Sequence, residues 1–376
     1  MSQSISVNPQ DFMRSVIKRI ATGPEMSKTI SREEARTAMK LILDGKADPV
    51  QAGVFLVALR MKRETDDENA GVLDALREAT HFAIAPVDEL VDIADPYDGF
   101  TRHLPASPFL PALLAACGLP AVSHGCFQMG PKFGVTHHQI LAAAGIQVNL
   151  SPEQAAARIA DAKIGWAYVD QSQFSPALNR LVDLRTLIVK RPCVSTLEKI
   201  TGPVRARGKN ILFIGYVHKG YERLLPLMAR QAQYDFALVV RGVEGGVLLP
   251  LRGAVTCVVC GTDGTEGTEN LDSSEIGIQS DIRAPQLPLL SSTEGTERTE
   301  GTEEESADFD ASKIATLAAE AGIEALEGKS GVTHDSLVFT SAAVLRHAGR
   351  AHSLHEGAEL ARKALDSGQA LARFRA

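Results

Sequence analysis

This chain of 376 residues has no long apolar run, and its number of cysteines, five, is odd. No apolar run reaches the roughly 18 residues that a membrane-spanning helix needs, so we expect no membrane contact. The N-terminal stretch has no basic-then-apolar signal pattern, which predicts a cytoplasmic protein. Five cysteines in a chain of this length fit a reducing compartment better than a disulfide framework.

Aromatic residues are also scarce, at 5% of the chain, so stacking surfaces for nucleic-acid bases would be sparse. A metal or redox site has one candidate, the C-x-x-C pair of Cys257 and Cys260. No second pair supplies further ligands, so we interpret these cysteines as buried strand residues. We expect His137 and His138 to begin a helix rather than to bind metal, because two neighbours alone do not complete a ligand set.

The net charge of −7 is concentrated in one segment. Residues 261–310 contain 14 acidic and two basic residues, whereas the rest of the chain contains 37 basic and 32 acidic residues. The segment repeats Thr, Glu and Gly and has few apolar side chains, which predicts a flexible acidic insert. We interpret it as a solvated linker; a mimic that competes for a basic groove is the alternative.

Helix start signals dominate residues 1–85 and predict a small all-helical N-terminal domain. They are Asn8-Pro9 and the capping boxes that begin at Ser31 and Thr65. From Leu90 onward, apolar strands alternate with helices. This pattern predicts a larger α/β domain over residues 86–260 and 311–376, with a mostly parallel central sheet covered by helices.

Ligands in such sheets bind beyond the carboxyl ends of the strands. The loops in question lie at residues 95–106, 124–135, 170–176, 217–220 and 241–247.

Four motifs occur in a familiar order: Val122-Ser-His-Gly125, Lys132-Phe-Gly134, Val240-Arg-Gly242 and the C-terminal run AGRAHSLHEGAELARKALDSGQAL. Together they resemble the anthranilate phosphoribosyltransferase family, also called glycosyltransferase family 3. The likeness covers nearly the whole chain except the acidic insert. It implies a fold of the nucleoside phosphorylase/phosphoribosyltransferase type and a homodimer formed through the helical domain. It also implies that the protein transfers the phosphoribosyl group of phosphoribosyl pyrophosphate to an aromatic amine in tryptophan synthesis, with Mg²⁺ as cofactor.

The chain departs from this family at the phosphate and metal motifs. The family's Gly-Thr-Gly-Gly-Asp-Gly loop corresponds to Asp95-Pro-Tyr-Asp-Gly-Phe100, where Pro96 has no amide hydrogen and Asp95 adds negative charge beside any phosphate. The acidic pair that holds the metal is replaced by Val247 and Leu248, which leaves Glu244 as a weak metal candidate. We therefore predict little or no anthranilate phosphoribosyl transfer.

Other segments resemble a divergent branch of the family that works outside tryptophan synthesis. Tyr97-Asp98-Gly99 and the run from Arg185 to Arg191 carry this likeness. The branch implies an alternative, a non-catalytic protein that binds single-stranded nucleic acid or another polyanion through a basic groove.

Basic side chains replace the missing glycines in our hypothesis. Seven positive charges between residues 185 and 209 face one acid, Glu198, and such side chains can hold phosphate oxygens. A solvated surface is the alternative. We predict an anionic ligand in the cleft between the two domains, either a phosphorylated small molecule or nucleic acid. The candidate contacts are Asp98, Gly99, Thr101, Arg102, His124, Gly125, Lys132, Arg185, Lys190, Arg191, Thr196 and Lys199.

Three of these candidates depend on local structure. Thr196 and Lys199 would form an anion site if Thr196 begins a helix. His124, at a strand end, is equally well explained as a structural hydrogen bonder.

Overall fold

The structure is a computed structural model that describes residues 8–23, 25–262, 265–287 and 309–376. Its helices are α1 Pro9–Ile20, α2 Arg32–Leu43, α3 Pro49–Lys62, α4 Asp66–Glu78, α5 Leu110–Ala116, α6 His137–Ala143, α7 Pro152–Ala160, α8 Gln171–Phe174, α9 Pro176–Asn179, α10 Val182–Leu187, α11 Val194–Leu197, α12 Tyr221–Gln231, α13 Ala311–Leu326, α14 Val332–His347, α15 Leu354–Asp366 and α16 Gln369–Arg375. Its strands are β1 Ala83–Ala85, β2 Glu89–Ala94, β3 Ala121–Gly125, β4 Trp166–Asp170, β5 Val204–Ala206, β6 Lys209–Gly215, β7 Phe236–Val240, β8 Val255–Gly261 and β9 Glu266–Leu271. Within these ranges, no helix combines the length and apolar character that crossing a bilayer requires.

The N-terminal helices begin where the sequence predicts. The side chain of Asn8 accepts hydrogen bonds from two backbone amides of α1, and Ser31 and Thr65 form capping boxes at the starts of α2 and α4. Helices α2 and α4 pack closely. A Cβ added at Gly71 would lie 2.1 Å from the carbonyl oxygen of Arg32, so only glycine permits this approach.

A second stretch of chain completes the helical bundle. Leu178, Val194 and Leu197 are buried in the same core as Leu56 of α3 and Leu73 of α4. The sequence analysis assigned these later residues to the α/β domain. Helices α9 to α11 follow β4 along the chain and pack on the bundle.

The main sheet is mostly parallel, as the alternation of strands and helices predicts. Within the described residues its strand order is β4-β3-β2-β6-β7-β8-β9, with parallel pairing from β4 to β7 and antiparallel pairing of β8 and β9. Strands β2, β6 and β7 are neighbours. Their carboxyl ends therefore bring the loops after residues 94, 215 and 240 to one edge.

Both faces of the sheet are covered. On β6, Ile211 and Phe213 face a core that also contains Phe339 of α14, whereas Leu212 and Ile214 face the core of the helical bundle. This alternation follows from the two-residue period of a strand. The sheet thus separates the C-terminal helices from the N-terminal bundle.

The prediction of a flexible insert over residues 261–310 is wrong for its first half. Strand β9 pairs with β8, and its Glu269 forms ion pairs with Arg346 and His347 of α14. An edge strand is ordered by backbone hydrogen bonds and tolerates charged side chains, so low hydrophobicity did not reveal it. Residues up to 287 continue along the fold, and a β-bridge joins His103 to Gln286. The repetitive part, 288–308, lies outside the described residues.

We predict that Gly71→Ala will destabilise the protein by about 2–3 kcal/mol, because the new methyl group overlaps the backbone of α2. Gly53→Ala in α3 is the matched control. Its Cβ would meet the movable end of the Ile188 side chain at 3.3 Å, so we expect a change within about 1 kcal/mol. Urea unfolding followed by circular dichroism measures both variants. Equal losses would contradict the close packing of α2 and α4.

Candidate functional site

The candidate site centres on the carboxylate of Glu244, in the loop after β7. Its Oε1 accepts hydrogen bonds from the backbone amides of Arg102, at 2.8 Å, and His103, at 2.9 Å, and it lies 3.1 Å from His103 Nδ1. Its Oε2 accepts from the amide of Thr101, at 3.0 Å, and from Lys132 Nζ, at 2.7 Å. We call these donors, the amides of residues 101–103 with His103 Nδ1 and Lys132 Nζ, the cradle.

The cradle strongly favours negative charge. Burial alone would raise the pKa of Glu244, but the hydrogen bond from His103 and the charge of Lys132 outweigh it and hold that pKa well below its usual range. The Glu244 side chain is only 6% exposed, so solvent screens its ion pair with Lys132 weakly. Consecutive amides that converge on one carboxylate have the geometry of an anion-binding nest.

The loop after β2 takes this shape with a single glycine. Gly99 has a φ of +72°, and its backbone lies against Gly134, where an added Cβ would come within 2.5 Å of the Phe100 nitrogen. Phe100 and Val135 exchange backbone hydrogen bonds of 3.0 and 2.9 Å. The loop after β3 thus packs against the loop after β2, whose amides at residues 101–103 face Glu244.

Asp95 does not face the cleft, contrary to the expectation of a repulsive charge beside a phosphate. It is 2% exposed and accepts a hydrogen bond from the Val247 amide at 2.7 Å. Its other oxygen lies 2.7 Å from Nε2 of His137, which also contacts Ser107 Oγ at 2.9 Å. Both contacts use one imidazole nitrogen, so these three residues do not form a relay of the Ser-His-Asp type. They fix the loop after β7 to the loop after β2.

Several predicted phosphate contacts are used inside the protein instead. Arg185 is 1% exposed and pairs with Glu198 through bonds of 2.7 and 2.8 Å. Lys199 is 6% exposed and donates to the carbonyl of Gly215 at 3.0 Å. Helix α11 begins at Val194 and spans only four residues, so Thr196 does not begin a helix and the predicted anion site there is absent. This geometry corrects the interpretation of Arg185, Thr196 and Lys199 as ligand contacts.

His124 and Gly125 are also interior residues. His124 is 1% exposed, contacts the Tyr97 hydroxyl through Nδ1 and lies 2.9 Å from Asp92 Oδ1 through Nε2. A Cβ at Gly125 would meet the Tyr168 hydroxyl at 3.2 Å. These contacts fit the structural explanation of His124, and both residues are buried.

Among the remaining candidates, Thr101 and Lys132 belong to the cradle, and Asp98, Gly99 and Arg191 lie beside it. Asp98 forms an ion pair of 2.6 Å with Arg191, and Gly99 accepts from Lys132 at 2.7 Å. The side chains of Arg102 and Lys190 are exposed and make no ion pair with any described residue.

Sequence reasoning missed three members of the site. His103 contributes two donors to the cradle, and Lys219 and Arg241, exposed and without ion pairs inside the described ranges, follow β6 and β7. The strand-end rule, applied to the loops after these adjacent strands, was the available signal for them.

The residues at the expected metal position do not fit Mg²⁺. Val247 and Leu248 are buried hydrophobics, and both Glu244 oxygens already accept hydrogen bonds. Among the described residues, no group of three His, Cys, Asp or Glu side chains is placed to hold a metal ion. Cys257 and Cys260 are free buried thiols on β8, and burial raises the pKa of Cys257 to about 12, as expected for inert strand residues.

Comparison with known proteins agrees with this architecture. Residues 14–80 match the helical bundle domain of the glycosyl transferase family. The anthranilate phosphoribosyltransferase of Nitrobacter hamburgensis is 28% identical over 361 residues, which cover 96% of each chain. That of Rhodopseudomonas palustris strain BisA53 is 27% identical over 364 residues, 97% of this chain and 96% of the other. The chain is therefore similar to anthranilate phosphoribosyltransferases over almost its whole length, and its N-terminal part matches the helical bundle domain of the glycosyl transferase family.

Solved structures of the family share the fold over almost the full length. The Thermus thermophilus enzyme aligns with a TM-score of 0.72 at 22% identity, covering 97% of this chain and 98% of that one. The Saccharomyces cerevisiae enzyme, solved with PRPP and Mg, gives 0.71 at 16% identity, covering 97% and 96%. The family fold is therefore retained where the phosphate and metal motifs differ.

We predict that Lys199 makes stability rise with pH. Burial lowers its pKa from 10.5 to about 8 against the opposing charges of Asp95 and Asp98. Between these two values the unfolded chain binds the proton and the folded protein does not. The free energy of unfolding therefore rises as pH increases through this range, by up to about 1.4 kcal/mol per pH unit.

Urea titrations from about pH 8 to about pH 10.5 should show wild type gaining stability relative to Lys199→Met. Lys163→Met, at an exposed position, is the control and should keep a constant difference from wild type. A constant difference for Lys199→Met as well would show that its amine titrates normally.

Proposed function

We propose that this protein binds a phosphate-bearing small molecule at the cradle and does so without a divalent ion. The observation that carries this proposal is the convergence of three successive amides and Lys132 on one carboxylate. The two oxygens of Glu244 mark positions that phosphate oxygens would occupy, because both groups accept charge-assisted hydrogen bonds of the same length.

The metal-dependent reaction of the tryptophan pathway is not expected here. The yeast relative was solved with PRPP and Mg, and the family's reaction requires that the leaving pyrophosphate be neutralised. Buried Val247 and Leu248 offer no oxygen ligands at the corresponding position. We therefore infer that the chain retains phosphate recognition and has little or no anthranilate phosphoribosyl transfer.

A polyanion is the second candidate ligand, and the rim of the cleft supports it. Arg102, Lys219 and Arg241 lie in the loops after β2, β6 and β7, and Lys190 follows α10. All four side chains are exposed and make no ion pair with a described residue. Unpaired cations attract phosphodiester backbones with little sequence preference. The free cysteines of the described chain, four of them buried, support our proposal of a cytoplasmic, reducing location.

We predict saturable binding of inorganic pyrophosphate in buffer that contains EDTA, measured by isothermal titration calorimetry. Lys132→Met should weaken this binding about tenfold, because one charge-assisted hydrogen bond is lost. Lys163→Met, exposed and far along the chain from the cradle, is the charge-matched control.

Binding that appears only after Mg²⁺ is added would contradict the metal-free proposal. Competition of pyrophosphate with a single-stranded oligonucleotide, with a steep loss of oligonucleotide affinity in salt, would favour the polyanion alternative. Turnover of PRPP and anthranilate would show that the family reaction persists.

We also propose that the protein forms a homodimer through α3. Val50, Val54 and Met61 of this helix are 74%, 39% and 68% exposed, and Leu187 of α10 is 78% exposed. Beside them lies a groove of about 460 Å³ lined largely by apolar side chains, among them Ile20, Val57 and Ile188. An exposed apolar patch of this kind is typical of a protein–protein interface, and the family resemblance names a second copy as its partner.

We predict that Val54→Glu combined with Met61→Glu will give a monomer, because two charges cannot be buried unpaired in an apolar interface. Size-exclusion chromatography with light scattering measures the mass. Ile84→Glu, at a position on β1 that is 68% exposed, should leave the dimer intact. Wild-type protein that is monomeric at every concentration would refute this interface.

A further inference from the structure

The cradle already holds an anion, and that anion belongs to the chain itself. Glu244 Oε1 accepts three hydrogen bonds and Oε2 accepts two, which uses the acceptor capacity of both oxygens. The donors come from the loops after β2 and β3, whereas Glu244 comes from the loop after β7. Without Glu244, the part-buried amides of residues 101 and 103 would lose their hydrogen-bond acceptor, and unpaired donors with limited access to water are costly.

The backbone of Glu244 does not favour this position by itself. Its φ of +50° and ψ of 22° lie in the left-handed region, which a residue with a side chain rarely adopts. Such a conformation persists only where surrounding contacts impose it. Here the contacts are those of the carboxylate with the cradle. Gly242, Gly245 and Gly246 flank Glu244 in close contact with surrounding atoms, so release of the carboxylate from the cradle would be accompanied by a rearrangement of this packed segment.

We propose that Glu244 is a built-in competitor for the phosphate site, so that an anionic ligand enters by displacing its carboxylate. This inference rests on the proposed function and adds the regulation of that site and its selectivity. A ligand with one carboxylate offers the cradle the same contacts as Glu244 but lacks the advantage of being tethered. A phosphate dianion or pyrophosphate carries more charge and more acceptor oxygens than a carboxylate, and therefore displaces the Glu244 side chain. The site therefore selects phosphates over carboxylates.

A role as a metal ligand does not account for the same contacts. The donors around Glu244 are amide, imidazole and ammonium groups, and an ammonium at 2.7 Å leaves no room for a cation on Oε2. The nearest buried acid in the adjoining loop, Asp95, is occupied by Val247 and His137. Removal of Glu244 should therefore strengthen anion binding, whereas removal of a metal ligand would weaken it.

The test compares pyrophosphate binding in EDTA for wild type, Glu244→Gln and Glu244→Ala. Glutamine keeps the shape of the side chain, but its NH₂ group faces donors and its charge is gone, so the cradle is released. We expect both variants to bind pyrophosphate at least about tenfold more tightly than wild type. Glu320→Gln, at an exposed position on α13, is the matched control and should bind as wild type does. Acetate should compete with pyrophosphate for the cradle in the two Glu244 variants and not in wild type.

A second measurement uses the wild-type protein and does not depend on how the variants fold. Hydrogen–deuterium exchange should become faster at residues 243–247 when pyrophosphate saturates the protein, because the Glu244 segment leaves the cradle. Exchange at the amides of residues 101–103 should stay slow, because the ligand replaces the carboxylate.

The outcomes separate the two proposals. Absence of pyrophosphate binding in wild type and in both variants would reject the proposed function. Wild-type binding that is unchanged or weaker in both variants, together with slower exchange at residues 243–247, would overturn the competitor role and leave the phosphate site in place.

Discussion

The hydrogen bonds from the amides of residues 101–103 to Glu244 are the interaction on which the site depends. They connect the loop after β2 to the loop after β7 across the intervening strand β6, and Lys132 adds the loop after β3. Loss of Glu244 would leave the part-buried amides of residues 101 and 103 without this acceptor. In our proposal, the occupant of the cradle, the Glu244 carboxylate or a bound anion, decides whether the site is available.

The sequence predicted the fold well because its signals are local. Capping boxes at Ser31 and Thr65 and the alternation of strands with helices depend on spacings of a few residues. The cradle depends instead on residues 141 to 143 positions apart, and no local pattern shows that Glu244 meets the amides of residues 101–103. What could be anticipated was the edge of the sheet at which they meet, because parallel strands collect their carboxyl ends there.

Charge counting failed where charges pair inside the protein. The run from residue 185 to 209 reads as a basic patch, yet Arg185 closes on Glu198, the one acid of that run, and Lys199 is buried beneath the site. A charge run indicates a surface only if its side chains point outward, and Arg185 on α10 and Lys199 just after α11 both point inward. At β9 the acidic composition predicted a flexible segment, but the residues form a strand. Backbone pairing with β8 and the contacts of Glu269 with Arg346 and His347 stabilise it.

Loss of the metal pair and the presence of an internal carboxylate are physically connected. A cradle of amides and a lysine with no acidic pair nearby would leave its positive charge uncompensated whenever the ligand is absent. Here Val247 and Leu248 offer no charge to compensate it, and Asp95 is turned toward Val247 and His137. Glu244 neutralises the empty site instead. Such a site holds phosphate only when the ligand outcompetes a tethered carboxylate, so affinity is reduced and selectivity for highly charged ligands is increased.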